Sequence, residues 1–264
     1  MTTKLYTDPT RKQAALEESP RKIWWMTLAK VIAGFIVLYL VLQFSPLLML
    51  PRLGQNVSVM ITAAVMLGLA VGFQVLFFRR RPLEALRQLG YGRPGGRAIV
   101  VALILSGLML LFFPALVLVT GTTLRLNDDW LLTLASIILF SGLAEETLFR
   151  GYVFGNLRRS SPFLRAGFVS LLLFAAVHLY LFVGNPFMIG LAATLVAVSA
   201  AYPLAYLFER GGSTLWAPVI VHSATHIIRL VAIPQEFYMP AMMAWLGMQI
   251  FMPLLIFAFH KYLK

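Results

Sequence analysis

The amino-acid sequence predicts an all-α integral membrane protein, a polytopic helix bundle with about eight transmembrane helices. Of its 264 residues, 60% are hydrophobic and only 12% are charged, whereas a soluble domain has about 45–50% apolar and about 25% charged residues. The apolar residues also form separate runs, each long enough to cross a hydrocarbon layer of about 30 Å. These two observations together disfavour a soluble protein.

Turn residues or charges separate the predicted spans. In the second span, Gly68 and Gly72 have the spacing of close helix–helix packing in membranes. After that span, residues 82–89 predict a short amphipathic helix on the membrane surface. If one span is re-entrant, the number of spans is seven. The predicted spans are 26–50, 57–78, 98–119, 130–155, 167–183, 188–208, 217–233 and 241–259.

We expect a polar cytoplasmic tail over residues 1–22 and one membrane-embedded domain over residues 23–264. The chain contains no cysteine. A disulfide framework, a thiolate nucleophile and a cysteine-ligated metal are therefore excluded.

The basic residues predict the orientation. Of the 22 Lys and Arg residues, seventeen lie in the tail, in the loops after spans two, four and six, and at the C-terminal end; two lie in the four opposite loops. The positive-inside rule then places both termini in the cytoplasm. A net charge of +12 could suggest nucleic acid, but the charges are spread between apolar spans. We therefore expect membrane lipid and no nucleic acid as a partner, and the sequence leaves the oligomeric state open.

The fourth predicted span contains an unusual charge cluster, Glu145, Glu146 and Arg150. One charge near the bilayer centre costs about 2.5–3.5 kcal/mol, so such residues are paired or face a protein or water interior. On a helix, Glu146 and Arg150 share a face in the favourable order. Glu145 is turned about 100° from Glu146. One carboxylate is thus held by the arginine, and the other stays available for chemistry.

Three ionisable positions share one predicted depth. Glu145 precedes the cytoplasmic end of span four by about ten residues. His178 follows the start of span five by about eleven residues, and His222 follows the Gly211-Gly212 turn by about ten. At about 1.5 Å per residue, all three lie about 15 Å from the same face. We therefore predict one buried site built from these three spans.

The residue types at this site suit hydrolysis. A buried carboxylate can act as a general base toward water, and an imidazole can polarise water or donate to an oxyanion. Glutamate and histidine also suit zinc, with Glu145, His178, His222 and His226 as candidate ligands. The zinc-protease helix motif, with glutamate between its histidines, is absent. No cofactor is therefore certain, and zinc stays open.

Three motifs resemble those of one known family. The segment Glu145–Arg150 resembles its EExxxR motif, Phe174–His178 its FxxxH motif, and His222–His226 its HxxxN/D motif. The family is the CPBP family (CAAX-processing and bacteriocin-processing, or Abi, proteins) of intramembrane proteases, which includes the type II CAAX prenyl endopeptidases. The resemblance covers about residues 130–233, and the three motifs occur in the family's order on successive helices.

The resemblance implies an intramembrane endopeptidase acting on a membrane-associated, for example prenylated CAAX-type, peptide in the plasma membrane of a prokaryote. By position, Glu145 would activate water with His178 as its partner, and His222 would stabilise the transition state. Glu146 and Arg150 would keep the helix and the charges of the site in place, and Phe174 and His226 would be supporting residues. His226 departs from the usual Asn or Asp. A neutral histidine can donate a hydrogen bond as an asparagine can, which is compatible with activity; altered pH dependence, metal binding and lost activity are the alternatives.

Two other functions fit the same residues. A non-catalytic membrane scaffold or immunity factor would need the Glu146–Arg150 pair but would tolerate Glu145→Gln. A proton-coupled transporter would use the buried glutamate and histidines as a relay and would produce solute flux rather than cleavage.

Overall fold

The computed structural model describes residues 20–183 and 186–264. The predicted polar tail, 1–22, therefore lies outside the described residues except for its last three. Those three already belong to the first helix, which begins at Pro20. The first span thus starts before the predicted position, 26.

The described chain is almost entirely helical, which confirms the all-α prediction. The α-helices are α1 (Pro20–Leu53), α2 (Gln55–Phe78), α3 (Pro82–Gln88), α4 (Gly96–Leu110), α5 (Phe112–Thr120), α6 (Trp130–Ser136), α7 (Gly155–Arg158), α8 (Phe163–His178), α9 (Phe187–Arg210), α10 (Trp216–Thr225) and α11 (Gln235–Phe251). Two π-helical segments, Ile137–Ala144 and Thr147–Phe154, lie between α6 and α7, and 3₁₀ turns (Leu179–Phe182, Ile227–Leu230, Met252–Phe259) follow α8, α10 and α11. Two short strands, β1 (Arg125–Leu126) and β2 (Val231–Ala232), pair antiparallel.

Within the described residues, seven continuous helices are long and apolar enough to cross a membrane. An integral membrane protein is therefore supported, and seven of the eight predicted spans have counterparts. The seven are Arg21–Leu53, Gln55–Phe78, Gly96–Thr120, Trp130–Arg158, Phe163–Phe182, Phe187–Arg210 and Gln235–Phe259.

The predicted span 217–233 is not one long helix. Helix α10 has ten residues, about 15 Å, and ends at Thr225. The carbonyl of Thr225 accepts hydrogen bonds from Trp245 Nε1 (2.9 Å) and Gln249 Nε2 (3.1 Å), both on α11. The backbone N–H of Arg229, which would continue the α-helix to that carbonyl, bonds His226 at 3.1 Å instead. Side chains from a later helix therefore end α10.

This broken segment still connects the two ends of the bundle. Before α10, the N–H of Leu215 bonds the Gly90 carbonyl at 3.0 Å; after it, the Leu230 carbonyl accepts from the N–H of Asn127 at 2.9 Å. Helices α4 and α5 separate Gly90 from Asn127 in sequence, so the two contacts lie at opposite ends. The chain passes through the bundle at the predicted place, but it does so as a short helix, a 3₁₀ turn and a strand.

The glycines that allow close packing are not the predicted ones. A Cβ at Gly68 or Gly72 would meet no atom within 4 Å, so the packing role predicted for them is wrong. Instead, Gly151 lies directly against the backbone carbonyl of Leu89, and Gly142 lies against Ser223 of α10. These two contacts place the charged span close to α10 and to the loop after α3.

Candidate active site

The two adjacent glutamates face different surroundings, as their angular separation predicts. Glu146 is completely buried, whereas the Glu145 side chain is 19% exposed and lies on a cavity wall. Both residues sit between the two π-helical segments, a geometry that is frequent at functional sites.

Glu146 holds two partners with a single oxygen. Its Oε1 accepts a hydrogen bond from Arg150 at 2.8 Å and one from His222 Nδ1 at 2.6 Å. The Arg150 side chain is only 2% exposed, so this is a buried ion pair extended to a histidine on α10. The predicted Glu146–Arg150 pair is present, and His222 is an additional partner that the helical spacing alone does not indicate.

Arg150 joins three parts of the bundle. Beyond Glu146, its NH2 group lies 3.4 Å from the carbonyls of Ala200 and Ala201 on α9. Its guanidinium also lies 5.1 Å from the centre of the Phe174 ring on α8. The FxxxH phenylalanine thus contributes by packing against the arginine of the first motif.

His178 lies at the C-terminal end of α8 with a fixed ring orientation. Its Nδ1 lies 2.7 Å from the Phe174 carbonyl, and the two rings are 4.6 Å apart. Since a carbonyl only accepts, Nδ1 carries the proton, and Nε2 of the neutral ring has a free lone pair. His178 and Glu145 line the same cavity, so the ring can accept a proton there.

His222 is oriented by Glu146 toward Glu145. Because Nδ1–H donates to the Glu146 carboxylate, Nε2 is an acceptor in the neutral ring and a donor in the imidazolium. This nitrogen lies 3.8 Å from Glu145 Oε2. His222 can therefore donate from Nε2 to a developing oxyanion when the ring is protonated.

His226 follows α10 and lies beside His222, with ring centres 5.4 Å apart. It lines the same cavity as the other candidate residues. Of the predicted site residues, Glu145, Arg150, Phe174, His178, His222 and His226 all contact this cavity, and Glu146 lies behind it.

The cavity has a volume of about 390 Å³ and is bounded by α9, α10, α11 and the turn after α8. Among its lining residues that the site prediction does not include are Tyr180, Arg229, Trp245 and Gln249. Trp245 and Gln249 are four residues apart on one face of α11, which is the periodicity of a helix facing the protein interior. That spacing is the signal by which the sequence could have included them.

The zinc site that the sequence left open is not confirmed. Among the described residues, no group of three His, Cys, Asp or Glu side chains is placed to hold a metal ion. The Nδ1 atoms of His178 and His222 are already used by Phe174 and Glu146. The donor set as arranged therefore does not fit a tetrahedral zinc site, which needs three or four protein ligands.

Comparison with known proteins supports the family resemblance. Residues 127–228 match the family model described as Type II CAAX prenyl endopeptidase Rce1-like. The matched region contains all three motifs and ends before α11, so it excludes Trp245 and Gln249. No curated protein and no solved structure matches the chain. The similarity to CAAX-type intramembrane proteases thus rests on the motif-bearing part of the chain.

Proposed function

From this family match, we propose that the chain is an intramembrane endopeptidase that hydrolyses a peptide bond of a membrane-associated substrate. The observation that carries the proposal is the set of side chains on the wall of the cavity of about 390 Å³. There Glu145 and His178 lie together, and His222 is held in a fixed orientation by Glu146. In one apolar cavity, the carboxylate can serve as the base that activates water, one imidazole can relay the proton, and the other can donate a hydrogen bond to the oxyanion.

In this proposal, Glu145 is the general base. Its carboxylate accepts a proton from a water molecule as the water oxygen bonds the scissile carbonyl carbon. The tetrahedral intermediate then collapses, the C–N bond breaks, and the protonated Glu145 returns the proton to the leaving amine. Glu145 suits this role because no described hydrogen bond ties it to Arg150, whereas Glu146 is held by two partners.

In this step, one histidine would act on the water and the other on the oxyanion. His178, with a free Nε2 lone pair, orients the water or relays its proton. His222, when protonated, donates from Nε2 to the oxyanion. Glu146 and Arg150 act indirectly, because Glu146 holds the orientation of the His222 ring and Arg150 holds Glu146. His226 occupies the last motif position and supports the same cavity wall.

We propose a prenylated CAAX-type peptide as the first substrate to test, since the matching family is described by prenyl endopeptidase activity. A cavity of about 390 Å³ lined mostly by apolar residues of α9, α10 and α11 suits an apolar ligand. The distribution of Lys and Arg supports cytoplasmic termini. We therefore propose that the protein lies in the plasma membrane of a prokaryote and that the substrate enters from the cytoplasmic side.

The test is cleavage of farnesylated CAAX peptides and a panel of membrane peptides by the purified protein in detergent. Glu145→Gln keeps the size of the side chain and removes the base, so we expect its rate to fall by at least about 10²-fold. Glu236→Gln, an exposed glutamate at the start of α11, is the matched control and is expected to cleave like the wild type.

The same assay separates the alternatives. Equal cleavage by wild type and Glu145→Gln would refute Glu145 as the base. Cleavage by neither protein over the whole panel, together with solute flux in proteoliposomes, would favour the transporter. A parallel measurement with a chelator tests metal dependence. Activity lost with the chelator and restored by zinc would mean that the side chains regroup around a metal in solution.

A further inference from the structure

The carboxamide of Gln249 carries a hydrogen-bond acceptor that has no donor among residues 20–183 and 186–264. Gln249 lies on α11, is only 8% exposed, and lines the cavity of about 390 Å³ together with Glu145 and His222. Its Nε2 group donates to the Thr225 carbonyl at 3.1 Å. None of the described residues donates to its Oε1 atom, so this oxygen is available to a ligand in the cavity.

The Thr225 carbonyl decides which end of this amide is the free acceptor. A carbonyl oxygen only accepts, so the amide atom that bonds it is the NH2 group, and the planar amide directs its oxygen elsewhere. Trp245 Nε1 also donates to the Thr225 carbonyl, at 2.9 Å, so that carbonyl has a donor without Gln249. The second hydrogen bond therefore serves to hold the Gln249 amide in one orientation.

A free acceptor on this wall selects for a ligand that brings a donor. A polar group that loses water when a ligand binds, and then finds no partner, opposes that binding. Lipid tails and prenyl chains carry no N–H or O–H group, whereas each residue of a peptide except proline carries a backbone N–H. Such an N–H needs an acceptor when it enters an apolar site. The Oε1 atom of Gln249 therefore suits the backbone of a peptide.

Gln249 also lies close to the residues of the proposed chemistry. Its partner Thr225 follows His222 by three residues on α10, which is about 4.5 Å along the helix axis. The Thr225 hydroxyl donates to the His222 carbonyl at 2.6 Å. An extended peptide rises about 3.3 Å per residue. A backbone N–H that reaches Gln249 therefore belongs to a residue within about two positions of the scissile bond.

We propose that Gln249 is a substrate-binding residue whose Oε1 accepts a hydrogen bond from a backbone N–H of the peptide near the scissile bond. This inference rests on the proposed endopeptidase function and adds a residue of α11 to it. Helix α11 lies outside the family match, which covers residues 127–228. The bond from Nε2 to Thr225 sets the direction in which the acceptor points.

The test replaces each backbone N–H of one peptide in turn by an ester oxygen, which removes the donor with little change of shape. The parent is the peptide of the panel that binds Glu145→Gln most tightly, and dissociation constants are measured by fluorescence anisotropy of labelled peptides. We expect one ester, within about two positions of the cleaved bond, to weaken binding to Glu145→Gln at least about fivefold. Adding Gln249→Met should weaken the parent peptide by a similar factor and abolish the penalty of that ester.

Gln74→Met, also combined with Glu145→Gln, is the matched control, because Gln74 is a completely buried glutamine of α2 that does not line the cavity. It should leave the ester penalty unchanged. Trp245→Phe tests a purely structural role, since it removes the other donor to the Thr225 carbonyl and leaves Gln249 in place. Any change of affinity in this variant should be the same for the parent peptide and its esters.

The ester penalty also separates this inference from the proposed function. A penalty that only Gln249→Met abolishes supports the assignment even if the wild type and Glu145→Gln cleave equally. Dissociation constants that no ester changes, or a penalty that persists in Gln249→Met, would overturn it even if Glu145→Gln abolishes cleavage. Loss of the penalty in Trp245→Phe as well would make Gln249 a structural residue. Binding of none of the peptides would overturn this inference together with the proposed function.

Discussion

Replacing Arg150 with methionine tests the buried charge network most directly. The substitution keeps an unbranched apolar side chain but removes the guanidinium that lies 2.8 Å from Glu146. Glu146 stays completely buried, and among the residues that the structure describes His222 is then its only remaining partner. The contacts of Arg150 with two carbonyls of α9 and with the ring of Phe174 are lost as well.

The expected cost is large because a charge loses its partner inside the protein. Removing one member of a buried ion pair costs about 3–5 kcal/mol. Since 1.4 kcal/mol corresponds to about a factor of ten, the unfolding equilibrium constant should rise by about two to three and a half orders of magnitude. Combining Arg150→Met with Glu146→Gln removes both charges, and we expect this double variant to recover much of the loss.

The assay is unfolding in mixed detergent micelles with increasing dodecyl sulfate, followed by tryptophan fluorescence. Arg158→Met is the control, since Arg158 pairs with Glu209 at 2.6 Å but the two side chains are 40% and 30% exposed. An exposed pair contributes about 0–1 kcal/mol. If Arg150→Met unfolds within about 1 kcal/mol of Arg158→Met, the buried pair does not stabilise the bundle and the reasoning is wrong.

Two further predictions concern packing and the oxyanion donor. Gly151→Ala places a methyl group against the Leu89 carbonyl and should lower the stability of the protein by about 1–3 kcal/mol. Gly68 has open space around it, so Gly68→Ala should leave the stability unchanged or raise it by about 0.5–1 kcal/mol. Comparable melting temperatures for the two variants would contradict this prediction. His222→Asn should reduce the cleavage rate by about 10²–10³-fold. His226→Asn introduces the usual residue of the motif, so its cleavage rate should stay within about tenfold of the wild-type rate. If His226→Asn is instead the slower variant, His226 and not His222 is the oxyanion donor.

The local parts of the site follow from sequence spacing. Glu146 and Arg150 are four residues apart, so any helix brings them together, and the approximately 100° between adjacent positions turns Glu145 away from that pair. Counting residues from the ends of the spans also predicted that Glu145, His178 and His222 lie at one level, and all three line one cavity in the structure. The positions of seven spans follow from the lengths of the apolar runs, because hydropathy is a local property that adds up along the chain.

The non-local parts depend on which helices become neighbours. The sequence does not indicate that Glu146 binds the Nδ1 of His222, 76 residues away, and this contact decides which nitrogen faces Glu145. The early end of α10 also depends on α11, because Trp245 and Gln249 take the carbonyl that would continue the helix.

Apolar patterns and short spacings therefore determined the membrane-helix fold, the family resemblance and the charged pair of this protein. Only the tertiary structure decided the broken crossing, the glycines at close contacts, the orientation of His222 and the cavity that Glu145 lines. The physical reason is that each of these features depends on side chains from distant helices, whose packing directions and donor positions are set by the whole bundle.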